Sequence, residues 1–204
     1  MRIRFTFYLV FILCAAQAQT AIHLKNPSFE FDKRQAGKVP EGWIDLGMEG
    51  ETPPDIQPGF WGVKMKAKDG KKYLGLVVRD NYSWEGIAQV LEGRMIKDST
   101  YTFSLDLANY NWFVAVSRLT GKGVFYAAPT VLRIWGVSTV LNKRELLAES
   151  DAVDHGNWLR YSFELKPKKA DCDRFELVAY YAPGREMANG NLLIDNCSDI
   201  ELKK

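Results

Sequence analysis

Two short stretches combine aromatic rings with hydrogen-bonding side chains. The first is RDNYSW at residues 79 to 84, and the second is ANYNWF at residues 108 to 113. Flat aromatic faces can stack on the apolar faces of sugar rings, while neighbouring Asn and Asp side chains can bond hydroxyl groups. The same rings could instead fill a protein core, and the sequence leaves both interpretations open. The candidate ligand-binding residues are Tyr82, Trp84, Tyr110, Asn111 and Trp112.

Catalytic motifs are scarce in this sequence. There is no Gly-x-Ser-x-Gly motif of a serine hydrolase and no His-Glu-x-x-His motif of a zinc protease. Asp151, Asp154 and His155 lie close together and could form an acid–base pair, but a polar turn between strands is the simpler interpretation. The sequence therefore predicts a binding protein that is not an enzyme.

The first 18 residues predict a cleaved export signal. MRIR supplies positive charge, FTFYLVFILCAA is an apolar run, and Ala16-Gln17-Ala18 has the small-x-small form of a cleavage site. The run is shorter than the roughly 20 apolar residues that a membrane-spanning helix needs, so no transmembrane segment is expected. We therefore expect residues 19–204 to be exported to the periplasm, the cell surface or the extracellular space.

Removal of Arg2 and Arg4 with the signal leaves a mature chain with 25 basic and 25 acidic residues. Such a neutral chain has no general electrostatic attraction to nucleic acid or to anionic lipid. The full chain is 47% hydrophobic and 13% aromatic, which supplies a sizeable core and argues against disorder. We predict that residues 19–204 form a single domain.

The dominant hydrophobic period is two, which indicates β-strands. In TYTFSLDL, one face carries Tyr101, Phe103, Leu105 and Leu107. Other short runs, such as KYLGLVV, WLRYSFEL and TVLRIWGV, alternate in a similar way and are separated by Gly-, Asn- and Asp-rich turns. This pattern predicts an all-β fold, an antiparallel β-sandwich of the jelly-roll type.

Residues 47–60, GMEGETPPDIQPGF, differ from this pattern. The segment contains three prolines, which cannot donate hydrogen bonds to a strand ladder. We expect it to be a surface excursion. Long loops of this kind are often functional, although a connection without a role explains the composition equally well.

The mature chain keeps Cys172 and Cys197, and an export signal would place them in an oxidising compartment. RFELVAYYA and NLLIDNCSDIEL predict two strands joined by the turn PGREMANG, and such a hairpin would bring the two cysteines almost opposite each other. Strand parity also places both cysteines on the face away from the core. A Cys172–Cys197 disulfide worth about 3 kcal/mol is therefore expected, with two free thiols as the alternative.

The order of several short motifs resembles the galactose-binding-like β-sandwich. NPSFE opens the mature chain, VPEGW follows, KDGKKYLGLV and WEGIAQVLEG come next, and NLLIDNCSDIEL closes it. The resemblance is to carbohydrate-binding modules that open with an Asn-x-x-Phe-Glu strand and a Gly-Trp, and to secreted envelope proteins of Gram-negative bacteria. It implies a secreted, non-catalytic module that binds a glycan or polysaccharide. The alternative is a cell-envelope structural or adhesion domain that binds another protein.

The resemblance also implies a structural calcium ion between the first strand, a glycine-containing loop and the last strand. The acid of the opening strand matches Glu30, and the acid of the final strand matches Asp195. Backbone carbonyls near Ser28 and in the Asp69-Gly70 loop would complete the site, since calcium prefers six to eight oxygens at about 2.3 to 2.6 Å. The period-two pattern points both acids away from the core, so solvated carboxylates remain the alternative.

Overall fold

A computed structural model describes residues 20–31 and 39–203, so the predicted signal peptide at residues 1–18 lies outside the described residues. Regular structure in the described part of the chain is β-strand, with no helix there long and apolar enough to cross a membrane. The strands form two packed antiparallel sheets and a small two-stranded ribbon. The prediction of an all-β antiparallel sandwich is confirmed.

The larger sheet has seven strands. In chain order they are β1 (Ala21–Ile22), β3 (Asp55–Gln57), β4 (Tyr73–Val78), β6 (Tyr101–Ala108), β11 (Leu159–Leu165), β13 (Gly190–Asp195) and β14 (Ile200–Leu202). Strand β11 pairs along one edge of β6, and the other edge of β6 pairs with both β13 and β14. Strand β13 then continues the sheet through β4 to β3.

The smaller sheet has five strands in the order β10-β9-β12-β5-β2. Their bounds are β2 (Ile44–Asp45), β5 (Gly86–Met95), β9 (Thr130–Ser138), β10 (Lys143–Glu149) and β12 (Cys172–Tyr181). The separate ribbon consists of β7 (Val114–Val116) and β8 (Gly123–Phe125). This ribbon covers part of the larger sheet on the face that is turned away from the smaller sheet.

The main core lies between the two sheets and follows the predicted alternation. Tyr101, Phe103, Leu105 and Leu107 of β6 all belong to it. Phe103 meets Phe175 of the opposite sheet edge to face, with ring centroids 5.0 Å apart. Each fully buried side chain of this size contributes about 1.5–3 kcal/mol, so the paired inner faces dominate the stability of the sandwich.

The segment around Glu30 is a turn, and the prediction of a strand there is wrong. The Asn26 side chain accepts the N–H of Glu30 at 2.8 Å and donates to its carbonyl oxygen at 3.0 Å. These bonds replace those that a neighbouring strand would make. Glu30 is exposed, as the period-two pattern predicts, while Phe29 is buried in the core and Phe31 is half-buried.

The proline-rich segment 47–60 is only partly a surface excursion. Asp55, Ile56 and Gln57 form β3 at the edge of the larger sheet, and all three side chains are buried. Pro54 and Pro58 stand just outside the strand, so neither removes a donor from its ladder. The prediction that the whole segment lies outside the sheets is therefore wrong.

The two cysteines do not form the predicted disulfide. Strands β12 and β13 belong to different sheets instead of one hairpin, and Cys172 and Cys197 are both free and buried in the main core. A bulge between Cys172 and Arg174 reverses the strand parity and turns Cys172 inward. Burial raises the pKa of both thiols, that of Cys172 to about 12.

These thiols should not react with alkylating reagents in the folded protein. We expect the peptides containing Cys172 and Cys197 to remain unmodified when the native protein meets iodoacetamide, because burial hides the sulfur and suppresses the thiolate. After unfolding in denaturant without reductant, both peptides should be alkylated separately. Peptide mass spectrometry measures both states, and recovery of a disulfide-linked peptide pair would contradict the structure.

Candidate functional site

A second apolar layer covers one end of the larger sheet, on the face opposite the main core. Alternate residues of β4 point to the two sides: Leu74 and Leu76 enter the main core, while Tyr73 and Val77 enter the second layer. Phe113 and other residues of the segment that contains the ribbon β7–β8 pack against these outer side chains. Strand β4 is therefore buried on both faces, and the cavity described below lies at its outer face.

Two buried asparagines attach this second layer to the sheet. Asn191 of β13 accepts the N–H of Tyr110 at 2.9 Å and donates to the carbonyls of Tyr110 and Tyr126 at 3.0 and 2.6 Å. Asn109 donates to the carbonyls of Ala128 and Asn191 at 3.2 and 2.9 Å. The asparagine at the start of the ANYNWF stretch is thus an anchor for the layer rather than an exposed ligand-binding group.

A cavity of about 70 Å³ lies between the outer face of β4 and the ribbon β7–β8. Its wall combines aromatic and charged groups. The main contributors are Asp55, Trp61, Arg79, Glu85, Phe113 and Tyr126. Concave sites with an apolar lining and a few convergent polar groups are the usual places for small ligands to bind.

Arg79 is the central charged group of the wall and is 2% exposed. Its Nη2 atom donates to Thr52 Oγ1 at 2.9 Å and to Glu85 Oε1, and its Nε atom lies 3.4 Å from Glu51 Oε2. Its Nη1 atom has no hydrogen-bond partner within the described residues. A buried guanidinium whose Nη1 atom is unpaired can donate a hydrogen bond to an oxygen atom of a molecule that enters the cavity.

The carboxylates around Arg79 differ in their electrostatics. Burial raises the pKa of Glu85 to about 8, against the lowering effect of the adjacent Arg79, and the nearby Asp55 carboxylate adds to the rise. Partial burial also acts to raise the pKa of Glu51, but hydrogen bonds from Asn81 and Arg118 outweigh it and lower that pKa. Glu51 is therefore the firmly ionised partner of Arg79.

Three exposed aromatic side chains are called the rim here: Trp61, which lines the cavity, and Trp112 and Phe125, which lie on the outward side of the ribbon β7–β8 and its flank. Trp61 is 41% exposed, lines the cavity, and donates its indole N–H to Asp55 Oδ2 at 2.5 Å. Trp112 is 66% exposed and meets the exposed Phe125 ring edge to face at 5.8 Å. The main chain joins the two parts of the rim, because Val114 donates its N–H to the carbonyl oxygen of Trp61 at 2.9 Å.

The five predicted ligand-binding residues divide into two groups. Tyr82, Asn111 and Trp112 are exposed, and Trp112 belongs to the rim. Trp84 packs against the main core, and Tyr110 packs against the second layer. The structure therefore offers three of the five to solvent and gives the other two a packing role.

Sequence reasoning did not select Arg79, Asp55, Glu85 or Trp61. Arg79 begins the RDNYSW stretch and directly follows the buried strand β4, which is an unusual place for a charged side chain. This position could have identified Arg79 from the sequence. The sequence gives no such signal for its partners, because Glu51 and Thr52 come from a different segment and meet Arg79 only through the fold.

Glu30 binds one side of the loop formed by residues 68–72. Its Oε1 atom accepts the main-chain N–H groups of Lys71 and Lys72 at 2.6 and 2.8 Å. Gly70 packs directly against the same carboxylate with a φ of +61°, and a Cβ at this position would overlap the Glu30 carboxylate. Both the positive φ and the close approach to Glu30 therefore favour glycine at this position.

Asp195 binds the other side of this loop and is fully buried. Its Oδ2 atom accepts the N–H groups of Lys68 and Asp69 at 2.7 and 3.0 Å, and its Oδ1 atom accepts that of Asn196 at 2.7 Å. Burial raises the pKa of Asp195 to about 6, against the lowering effect of the three N–H donors, and the Asp69 carboxylate adds to the rise.

The two acids predicted to bind calcium thus hold one loop between them. They meet N–H donors of that loop, whereas calcium requires carbonyl and carboxylate oxygens. In the part of the chain that the structure describes, no group of three or more His, Cys, Asp or Glu side chains is placed to hold a metal ion. These contacts fit a loop held by carboxylates, and the calcium site at Glu30 and Asp195 stays a prediction.

His155 has a structural environment. Its Nδ1 atom lies 2.8 Å from the carbonyl oxygen of Asn157, and its Nε2 atom lies 2.9 Å from the hydroxyl of Tyr161. The imidazole also stacks on the Tyr161 ring at 5.9 Å. Both ring nitrogens are therefore occupied within a turn, in agreement with the interpretation of this segment as a polar connection.

No protein-family model and no curated protein sequence matches the chain. Similar solved structures include a cyclase from Fischerella sp. TAU, with 14% identity over 90% of this chain and 97% of that chain and a TM-score of 0.55. The CBM22-1 xylan-binding domain of Paenibacillus barcinonensis Xyn10C shows 15% identity over 92% and 99% of the chains, with a TM-score of 0.51.

A third similar structure contains the CBM22-1 and GH10 modules of Clostridium thermocellum endo-1,4-β-D-xylanase 10B complexed with xylohexaose. The identity is 14% over 92% of this chain and 29% of that chain, with a TM-score of 0.52. At such low identity these similarities establish the fold. The chain shares the β-sandwich fold of these structures, in agreement with the fold that the motif order implies.

The buried carboxylate of Asp195 should give stability a distinctive pH dependence. Its raised pKa means that the folded state keeps a proton that the unfolded state loses, so folding is favoured at low pH and loses this contribution as pH rises from about 4 to about 6. The free energy of unfolding of the wild type, relative to Asp195→Asn, should fall by about 3 kcal/mol across this window and then stay level.

Urea denaturation with chelator present, at several pH values between 4 and 7, measures this difference. Asp154→Asn is the matched control, because Asp154 is exposed and should show little change. A relative stability that rises across the window would mean that the three N–H donors outweigh burial.

Proposed function

We propose that this chain is an exported, non-catalytic module that binds carbohydrate at the cavity and its aromatic rim. The observation that carries this proposal is the pairing of exposed tryptophans with buried hydrogen-bonding groups. Trp61 and Trp112 are exposed on the rim, while Arg79 and Asp55 lie in the wall of the cavity. Sugar rings present both kinds of surface, with apolar C–H faces for aromatic stacking and hydroxyl groups for polar contacts.

The similar solved structures support the carbohydrate class. They include a xylan-binding domain and a module complexed with xylohexaose, and both share the fold of this chain. Folds host many functions, so the argument rests on the cavity and rim of this chain and the fold adds support to it. Export is part of the proposal and is supported by the signal-peptide pattern at residues 1–18, with the periplasm, the cell surface or the extracellular space as destinations.

A non-catalytic role is proposed because the candidate acid–base groups are engaged structurally. His155 uses both ring nitrogens inside its turn. Glu85 accepts the N–H of Val77 at 3.1 Å and pairs with Arg79, so both of its oxygens are occupied. A cyclase shares the fold. Any ligand that the protein binds is therefore also tested for turnover, and turnover would show that the protein is a catalyst.

A protein partner is the second candidate, and one observation favours it. The outward face of the ribbon β7–β8 and its flanks expose Trp112, Val114, Val116, Leu119 and Phe125. Contiguous exposed apolar side chains often mark protein-binding surfaces. An envelope structural or adhesion domain would use this face, and co-purification of a stoichiometric envelope protein would favour it over carbohydrate.

Removal of the rim aromatics should weaken glycan binding. We expect Trp61→Ala and Trp112→Ala each to weaken binding by at least about tenfold, because truncating an aromatic anchor commonly costs 2 kcal/mol or more. Affinity electrophoresis in gels containing insoluble or soluble polysaccharides, followed by calorimetry, measures the change.

The matched control is Trp135→Ala, since Trp135 lies on β9 of the smaller sheet and stacks under Arg144 at 3.8 Å. Circular dichroism confirms that each variant is folded. Equal retention of the wild type, Trp61→Ala and Trp112→Ala would contradict the proposal. So would a failure of the wild type to bind any glycan.

The calcium prediction is tested separately by thermal unfolding. A structural calcium ion bound only by the folded state raises the melting temperature with increasing calcium, and a chelator removes the effect. A loop held by Glu30 and Asp195 through N–H donors gives the same melting temperature in calcium and in chelator. Magnesium at equal ionic strength is the control, and a calcium-specific rise that Asp195→Asn abolishes would establish the calcium site.

A further inference from the structure

Three loops meet at the end of the sandwich that lies opposite the cavity. These distal loops are residues 96–100 between β5 and β6, residues 139–142 between β9 and β10, and residues 166–171 between β11 and β12. Strand β12 begins at this end and finishes at Tyr181, whose hydroxyl donates to the carbonyl oxygen of Arg79 at 2.5 Å. Ten strand residues span roughly 30 Å, so the distal loops lie far from the cavity.

Hydrogen bonds connect the distal loops to one another. Asp171 accepts the main-chain N–H of Lys97 at 2.8 Å and joins the first loop to the third. Asp173, at the start of β12, accepts the N–H and the hydroxyl of Thr139 at 2.8 and 2.6 Å and attaches the second loop. The three loops therefore form one connected surface.

Aliphatic side chains project from this surface. Val140 and Leu141 lie at the centre of the turn between β9 and β10 and are 86% and 57% exposed, and Ile96 of the first loop is 44% exposed. Val140 and Leu141 line a groove of about 450 Å³ together with Lys97 and Lys169 of the other two loops. Transfer of these aliphatic groups from water to an apolar environment would be favourable.

Positive charge is concentrated around the distal loops. Residues 94–100, 139–145 and 166–173 contain seven basic and four acidic residues, whereas the mature chain contains equal numbers of each. Arg144 pairs with Glu176 of β12 at 2.8 Å, which leaves an excess of two positive charges at this end. The electrostatic attraction that the mature chain lacks as a whole is therefore present locally.

The basic and acidic side chains at this end are engaged differently. Four exposed lysines have no ion-pair partner among the described residues, namely Lys97, Lys143, Lys166 and Lys168. Three of the four acids accept hydrogen bonds from other distal-loop residues, namely Glu145, Asp171 and Asp173, and the fourth, Asp98, is exposed. The lysines are thus available to an anionic partner, while most of the acids hold the loops together.

Exposed aliphatic side chains beside lysines match the surface of an anionic membrane. Lipid phosphate groups attract lysines, and the apolar boundary below the headgroups accepts aliphatic side chains. The lysine stems can follow that boundary while their ammonium groups stay at the level of the phosphates. A protein partner fits this end less well, because three aliphatic side chains fall short of the roughly 800 Å² that each partner buries in a standard protein interface.

We infer that the distal loops dock on an anionic lipid membrane, with Val140 and Leu141 inserted among the headgroups and the lysines at the lipid phosphates. This inference goes beyond the proposed carbohydrate binding and uses different residues. Docking in this way directs the cavity and the rim away from the membrane, because they lie at the other end of the sandwich.

Flotation with lipid vesicles tests docking of the mature protein. Vesicles of equal parts phosphatidylglycerol and phosphatidylcholine should carry the protein with them. Vesicles of phosphatidylcholine alone should bind it at least about tenfold more weakly, because they lack the net negative charge that attracts the lysines. High salt should release the protein from the anionic vesicles, since salt screens that attraction.

The aliphatic contribution is tested by the double variant Val140→Asn/Leu141→Asn. It should weaken binding to the anionic vesicles by at least about tenfold, because it removes the groups that enter the membrane. The matched control, Val116→Asn/Leu119→Asn, makes the same change at exposed residues of the ribbon segment and should bind as the wild type does. Circular dichroism confirms that both variants are folded.

The contribution of charge is tested by Lys143→Gln/Lys166→Gln/Lys168→Gln. This triple variant should also bind the anionic vesicles at least about tenfold more weakly, because each lysine adds to the attraction. The control Lys64→Gln/Lys66→Gln/Lys122→Gln removes the same net charge from exposed positions outside the distal loops and should have little effect.

The variant Leu141→Trp reports insertion directly. On anionic vesicles its fluorescence, compared with that of the wild type, should shift to shorter wavelength and be quenched by brominated lipid. Both changes require the side chain at position 141 to leave water and contact the lipid.

Several results would overturn the inference. These are binding of the wild type to neither kind of vesicle or equally to both, equal binding by a variant and its control, and unchanged fluorescence of Leu141→Trp on anionic vesicles. A dimer that forms without lipid and is lost in Val140→Asn/Leu141→Asn would show that a second copy covers this end, and would also overturn it. Glycan binding is measured separately with the rim variants, so each proposal can fail while the other stands.

Discussion

Strand β4 is buried on both of its faces, and the sandwich and the candidate site both depend on this constraint. A β-strand sends alternate side chains to opposite sides, so one run of residues supplies Leu74 and Leu76 to the main core and Tyr73 and Val77 to the second layer. Arg79 continues the outer series just past the end of the strand, and the packing that covers Val77 also removes Arg79 from water. Burial of that charge in turn requires the carboxylates that surround it.

The cavity therefore has a physical origin in the second layer. A guanidinium group cannot be buried without partners, and Glu85, Thr52 and Glu51 together engage the Nη2 and Nε atoms of Arg79. Ion pairs and aromatic rings frame this cavity, and the exposed ring of Trp61 stands at its edge.

Much of the fold could be predicted from the sequence, because its signals are local. The alternation in β6 placed its inward residues correctly, and the motif order identified the type of sandwich. The errors occurred where local pattern and global pairing disagree. Strands β12 and β13 look like a hairpin but lie in different sheets, a bulge reverses the parity at Cys172, and Asn26 replaces a strand by a turn.

The site was less predictable for the same reason. Aromatic and amide residues near Trp112 could be recognised by type, but the contacts of Arg79 with Glu51 join distant segments and have no local signal. Conversely, Glu30 and Asp195 do meet at one loop, as the sequence predicts. The sequence could not specify whether their partners in that loop are N–H donors or oxygen atoms. Glu30 and Asp195 are acceptors for main-chain N–H groups there.

The attachment of the second layer through Asn191 has a consequence for how such a protein can evolve. The side chain of Asn191 bonds main-chain atoms of Tyr110 and Tyr126, so it places few demands on the side chains of the segment that it holds. Exposed residues of that segment, Trp112 and Phe125 among them, can be exchanged by mutation while the attachment and the sandwich persist. The sequence of this exposed surface can therefore change independently of the sequence that maintains the sandwich.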